Sequence, residues 1–399
     1  MRYDSPVRFS AVARSIPSNV FADMDRKVAA AIAEGHDVID LAKGNPDAYP
    51  AEFIREEAKK AADDPANARY TPFDGKPAFL EAAAGWYARV HDVPLDCRSQ
   101  LFAVEGAVDG LAGLFSILVD PGDAVAFVDP YYPSYHCMSV MAGAEEVLLP
   151  ALADRGFLPD LDAVPQKVWE RVKVLVLNYP NNPTGAQAPR DFLRHAVDLA
   201  RRHRFVIVQD FAYAGLGVHG QQSSILAVPG AFDVAVEVCS LSKMYAMAGW
   251  RAGFVAGNDD IVAHFKRYHY QMGSMISSIV QDAGAAALNS DQRCVDELAE
   301  RYARRRGIVS RGLHDAGLDV FDSQGGIYVW ARTPAGYDGV GFADLVLKRA
   351  HVAVLPGSCF GSVGADYVRF SLLKSDGELD EAVRRVADVL ARAANLNRP

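Results

Sequence analysis

From about Leu101 to Ser242 the sequence alternates short apolar runs with helical patterns, and this alternation restricts the available folds more than any other feature. The runs are FAVE, AVAFVD ending at Asp129, KVLVLNYP ending at Pro180, FVIVQD ending at Asp210 and VAVEVCSLS ending at Ser242. Runs this short and this continuously apolar read as strands buried on both faces, with helices as crossovers. An α/β fold follows, with a mostly parallel sheet between helices. Open sheets of this kind bind ligands at the carboxyl ends of their strands. Nearly every run here ends in polar residues, so the functional edge is expected there.

A chain of 399 residues exceeds what one core sustains, so two lobes are expected. Residues 51–290 form the large lobe. Residues 291–399 change character: a charged helix pattern around Asp296 to Gly312, the strand-like GGIYVWAR, a strand at Val368 to Leu373 and a closing amphipathic helix suggest a smaller α+β lobe. Residues 1–50 read as an N-terminal arm that contributes part of the small lobe, with the helical FADMDRKVAAAIAEG leading into the extended VIDLAKGNPDAYP.

The formal net charge of −9 argues against nucleic acid as a partner, since phosphate backbones require clustered Lys and Arg. The five cysteines are scattered and include no CxxC pair, so neither a disulfide framework nor a metal site is suggested. A reducing cytoplasm fits that usage. The N-terminal MRYDSPVRFSAVARSIPSN lacks an apolar signal region, and no stretch reaches the ~18 apolar residues of a membrane span.

Four strings carry candidate chemistry. Ser240-Leu241-Ser242-Lys243 precedes Arg251 in AMAGWRAGF. A lysine closing an apolar strand can be desolvated, and its neutral amine can then form a Schiff base. Two hydroxyls and an arginine beside it suit a phosphate dianion. Taken alone, the string is also what a polar-capped strand end looks like. Asn178-Tyr179-Pro180-Asn181-Asn182-Pro183-Thr184-Gly185 closes another strand with turn formers, and an Asn amide there could meet a phenolate oxygen and a carboxylate. Asp210 follows buried apolar residues and requires a cation or several donors; a pyridinium N–H would serve, as would a helix starting near Ala212. Gly106-Ala107-Val108 opens an apolar helix whose backbone N–H groups could hold phosphate, and Tyr132 in DPYYPSY could stack on a planar ring.

Together these strings resemble the class I/II, fold-type I pyridoxal 5′-phosphate (PLP)-dependent aminotransferases, especially the branch of LL-diaminopimelate and alanine-type aminotransferases. The resemblance runs from VIDLAKGNPD through ARYTPFDGKP, DPYYPSY, NYPNNPTGA, DFAYAGL and SLSKMYAMAGWRAGF to LPGSCFG and YVRFSLL. It implies the fold-type I architecture, with a seven-stranded-type sheet in the large domain. Lys243 would be the Schiff-base lysine and proton-transfer base, and Asp210 the partner of the pyridine nitrogen. Asn182 and Tyr213 would bond the phenolic oxygen, and Tyr132 would stack on the ring. Ser240, Ser242, Arg251 and the backbone of Gly106, Ala107 and Val108 would hold the phosphate. Tyr70 would reach the phosphate of a neighbouring subunit, making the active unit a homodimer. Arg369, helped by Asn182 and Gly44, would clamp the α-carboxylate of an amino-acid or 2-oxo-acid substrate. Ala107 and Val108 replace hydroxyl residues common in the family, and Met244, Ala246 and Ala248 replace polar ones. The alternative within the same fold is elimination or replacement, cyclisation or oxidation of an amino acid.

Overall fold

The computed structural model describes residues 7–217, 224–273 and 275–396. A helix, Val20–Ala33, leads to the short strand β1 (Ile39–Asp40). The large sheet then takes β2 (Leu101–Val104), β3 (Ala124–Asp129), β4 (Glu145–Pro150), β5 (Val172–Asn178), β6 (Val206–Phe211), β7 (Ala235–Ser240) and β8 (Gly253–Gly257). Their spatial order is β2-β8-β7-β6-β5-β3-β4. The pairs β3/β4, β3/β5, β5/β6 and β6/β7 are parallel, whereas β8 runs antiparallel to β2 and β7. The expected α/β architecture, a seven-stranded and mostly parallel sheet, is therefore present.

The period of two along a strand distributes the core over both faces. Ala126, Val128, Leu175 and Leu177 pack on one face, against Leu193, Ala196, Val197 and Ala200 of the helix Arg190–His203. Val125, Phe127, Val174 and Val176 pack on the other, against Leu111, Leu114 and Phe115 of the helix Ala107–Leu118. Because both faces are covered, β2, β3 and β8 are apolar except at their ends, and the polar Gln209 inside β6 and Glu237 inside β7 are buried.

The C-terminal part adds β9 (Asp319–Val320), β10 (Tyr328–Arg332), β11 (Val352–Ala353), β12 (Leu355–Pro356) and β13 (Tyr367–Ser371). Four of these form an antiparallel sheet in the order β12-β13-β10-β9, while β11 pairs in parallel with β1. Ile39 and Leu41 share a core with Val309, Leu313, Val329, Val368, Phe370 and Val386. The following segment is tied down by the buried Arg305, which donates to Asp47 at 2.8 and 3.0 Å and to Asp376 at 3.2 Å. Asp129, ending β3, accepts from the backbone and hydroxyl of Ser362, and Gly361 fits beside it at φ +117°, since a Cβ there would lie 2.1 Å from Asp129 Oδ1.

Two boundaries differ from the sequence expectation. The run VAVEVCSLS stops being strand at Ser240, and Leu241–Met244 is a helical turn capped by the Ser240 hydroxyl, which accepts the Ser242 N–H at 3.2 Å. Polar capping thus outweighs the apolar continuity. GGIYVWAR becomes strand only at Tyr328, because Gly326 turns at φ +68°.

Trp330 ties the C-terminal sheet to the strand that carries Arg369. It is fully buried, stacks on Tyr367 at 5.1 Å and stands opposite Arg369 in the β10/β13 register. Trp330→Ala is expected to cost about 3–5 kcal/mol through the cavity it leaves. Urea unfolding followed by far-ultraviolet circular dichroism checks this, and a loss below about 1 kcal/mol would contradict the packing role.

Candidate active site

The carboxyl ends of β5, β6 and β7 open onto one cavity of about 430 Å³. Asn178 ends β5, Asp210 is next to last on β6 and Ser240 ends β7, with Asn178 beside Asp210 in the register. Parallel pairing brings residues distant in sequence to one edge. The Asn178 amide donates to the Asp210 carbonyl at 2.8 Å and its oxygen accepts the Asn182 N–H at 2.9 Å, so the loop after β5 is fastened to β6.

Asp210 is 5 % exposed. Its carboxylate accepts from the Tyr135 hydroxyl at 2.6 Å and from the Ala212 N–H at 3.1 Å, and among the described residues no cation lies within ion-pair distance. Burial pushes its pKa up to about 6, against the lowering effect of those two donors. No helix starts at Ala212; a turn follows β6 instead. The site therefore holds an under-compensated anion, to which a protonated heterocyclic nitrogen is complementary.

Lys243 points into the same cavity from the helical turn after β7 and donates to the Gly44 carbonyl. Burial, reinforced by the charges of Arg369 and Arg251, lowers its pKa to about 8. Its amine is consequently far closer to neutrality at physiological pH than an ordinary lysine, as a carbonyl-condensing amine must be. Burial also drives the Tyr213 and Tyr135 hydroxyls well above the usual range, so both remain protonated donors.

One corner of the cavity could receive an oxyanion. The twelve-residue helix Ala107–Leu118 directs its free N–H groups there, and Gly106 precedes it at φ +84°. A Cβ on Gly106 would lie 2.6 Å from Nη2 of Arg251, so glycine is needed for the guanidinium to approach. Ser240 and Ser242 complete the lining. Ala107 and Val108 line it too, which leaves that strand-to-helix turn to contribute backbone donors in place of hydroxyls.

Arg369 is fully buried behind Tyr328. Its guanidinium donates to Asn182 Oδ1 at 2.8 Å and to the Ala42 carbonyl at 2.7 Å, and lies 3.8 Å from the Tyr328 ring centroid. Nε has no hydrogen-bond partner, and no carboxylate among the described residues pairs with this cation. A substrate carboxylate would supply the missing charge.

The structure thus brings Gly44, Ala107, Val108, Tyr132, Asn182, Asp210, Tyr213, Ser240, Ser242, Lys243 and Arg251 to one cavity. Gly106 adjoins it and Arg369 stands behind it. Tyr70 does not line it; that side chain is 93 % exposed. Sequence reasoning missed Tyr135, Tyr328 and Phe21. Tyr135 could have been found one helical step beyond Tyr132, and Tyr328 from the alternation along β10, which places it on the face of Trp330. Phe21 carries no local signal, because only the tertiary fold brings it to the cavity. Met244 is fully buried in the core, so its departure from the family pattern removes no contact in the cavity.

The chain matches the family described as Aminotransferase class I and II over residues 36–386. It is 39% identical over 378 residues to an L-glutamine--4-(methylsulfanyl)-2-oxobutanoate aminotransferase of Bacillus subtilis, covering 94% of this chain and 95% of that one. It is 40% identical over 380 residues to an LL-diaminopimelate aminotransferase of Desulforudis audaxviator, covering 95% and 97%. Among solved structures, substrate-bound BacF from Bacillus subtilis superposes with a TM-score of 0.92 at 31% identity, covering 96% of this chain and 98% of that one. A single mutant of the Thermus thermophilus aspartate aminotransferase gives 0.90 at 31%, covering 96% and 100%.

The Asp210 carboxyl makes a pH prediction. Its folded pKa of about 6 lies above the 3.8 of a free carboxyl, so the folded ligand-free protein holds this proton more tightly than the unfolded chain. Stability from this group therefore falls as pH rises from about 4 to about 6 and stays low above that. Asp210→Asn should stabilise the ligand-free protein at pH 8, by roughly 3 kcal/mol at most, and progressively less from pH 6 down to pH 4. Calorimetric melting across that range checks this; equal Tm values at pH 8 would mean that the charge is already compensated.

Proposed function

This chain belongs to the aminotransferase class I and II family, and from that premise we propose that it moves an amino group between an L-amino acid and a 2-oxo acid with PLP held in the cavity at the ends of β5, β6 and β7. The observation that carries the proposal is the desolvated Lys243 amine sharing one cavity with a buried carboxylate that lacks a cation. When bound, the coenzyme supplies an electron sink for charge developing on the substrate α-carbon.

The donor set suits each part of that group. Asp210 would hold the ring nitrogen protonated, with the Tyr135 hydroxyl and the Ala212 N–H keeping its carboxylate aimed. Asn182 and Tyr213 would meet the phenolic oxygen, and Tyr132 would cover the ring. Arg251, Ser240, Ser242 and the N–H groups at the start of Ala107–Leu118 would hold the phosphate. Lys243 is the amine that would join the coenzyme covalently, and once released its Nζ would take and return the proton at the substrate α-carbon. Arg369 would fix the α-carboxylate, steadied by its bonds to Asn182 and the Ala42 carbonyl.

The assembly we propose is a homodimer in a reducing cytoplasm. The family resemblance implies the dimer, and the 93 % exposure of Tyr70 leaves that ring free to reach a neighbouring subunit. Tyr70 would then complete the neighbouring subunit's phosphate site. Among the described residues no helix is long and apolar enough to cross a membrane.

Incubating the PLP-loaded protein with ¹⁵N-labelled amino acids and an unlabelled 2-oxo acid should yield a new ¹⁵N-labelled amino acid. Lys243→Ala should slow this by about a thousandfold or more. Release of labelled ammonia without any new amino acid would replace the proposal with elimination chemistry.

A further inference from the structure

Phe21 is the second residue of the helix Val20–Ala33. The side chain of Asn19 fixes where that helix begins by accepting the N–H groups of Phe21 at 2.9 Å and Ala22 at 3.2 Å. That cap sets the direction in which Phe21 projects. Its ring centroid lies 6.4 Å from that of Tyr132 and 5.7 Å from Cζ of Arg369, so it packs against both. Tyr328 covers the same guanidinium from 3.8 Å. A side chain on an α-carbon whose carboxylate meets Arg369 therefore leaves the reacting centre among rings.

Charge is supplied sparingly around those rings. Among the described residues lining the cavity the charged ones are Asp210, Lys243 and Arg251, each committed to the coenzyme when the cavity is loaded with PLP. The cations flanking the Gly44–Asn45 rim are paired: Lys43 with Asp25 at 3.1 Å and Asp40 at 3.4 Å, and Arg305 with Asp47 at 2.8 Å. A distal carboxylate or ammonium on the substrate would lose its hydration there without gaining a counter-charge.

We infer that the substrate is an amino acid with an uncharged aromatic or bulky apolar side chain, and that Phe21 is the residue that selects it. The inference rests on the amino-transfer reading and narrows it, excluding donors whose side chains carry their own charge.

Binding of two amine-free acids to the coenzyme-loaded protein tests it by titration calorimetry. 3-Phenylpropanoate should bind the wild type at least about tenfold more tightly than glutarate. Phe21→Ala should lose most of that preference, Phe21→Leu should keep part of it, and Phe21→Arg should shift it toward glutarate. Tighter binding of glutarate to the wild type would overturn the inference, including the case in which a second copy of the chain brings a cation to the site. Equal weakening of both acids in Phe21→Ala and Phe21→Leu would overturn the selective role of Phe21. In a parallel donor screen, efficient transfer from glutamate but not from phenylalanine sinks the specificity alone, whereas transfer from no amino acid at all sinks the amino-transfer reading beneath it.

Discussion

Asp210 and Arg369 are buried charges of opposite sign that the folded chain leaves without counter-ions among its described residues. Each is held by neutral partners only: a tyrosine hydroxyl and a backbone N–H for the carboxylate, an amide oxygen, a backbone carbonyl and aromatic faces for the guanidinium. Burying a charge in this way costs several kcal/mol, and a fold selected for stability alone would remove it or pair it. Asp210 lines the cavity that receives Lys243 and Arg369 stands behind it, so a ligand carrying the complementary signs would relieve both. The lowered pKa of that lysine follows from the same enclosure, since the burial that raises Asp210 lowers an ammonium.

The topology explains why these groups meet. Parallel strands β5, β6 and β7 lie side by side and end at the same level, so Asn178, Asp210 and Ser240 become neighbours although they are far apart in sequence. The two helix-covered faces keep water from the strands, which leaves the sheet's edge as the place where polar residues can gather. The antiparallel C-terminal sheet contributes Arg369 and Tyr328, and Arg305 holds the segment carrying Gly44 against it. A small displacement between these parts would therefore change the distance between the Arg369 guanidinium and the Lys243 amine.

Much of this architecture is legible in the amino-acid sequence. Continuous apolar runs identify the buried strands, and the polar residues closing three of them, Asn178, Asp210 and Ser240, line the cavity. Boundaries are legible only to within a residue or two, because Ser240 capping and the Gly326 turn are decided by local hydrogen bonding and backbone conformation rather than by apolar pattern. The coenzyme roles proposed for Lys243, Asp210 and Arg251 rest on motif spacing and family resemblance, whereas neither points to Tyr135 or Phe21. Tyr135 is one of three tyrosines in DPYYPSY, and only the fold tells which of them reaches Asp210. Phe21 acts across nearly the whole length of the chain, packing on Arg369, a separation at which sequence patterning carries no information.

The proposed amino transfer requires that the Lys243 amine be the group that joins PLP. Borohydride reduction of the PLP-loaded protein, followed by proteolysis and tandem mass spectrometry, tests it most directly. The expected result is a single phosphopyridoxyl label on the peptide containing Ser242-Lys243-Met244, with little label at Lys43 or any other lysine. A label distributed over surface lysines, or none at position 243 under saturating PLP, would contradict it.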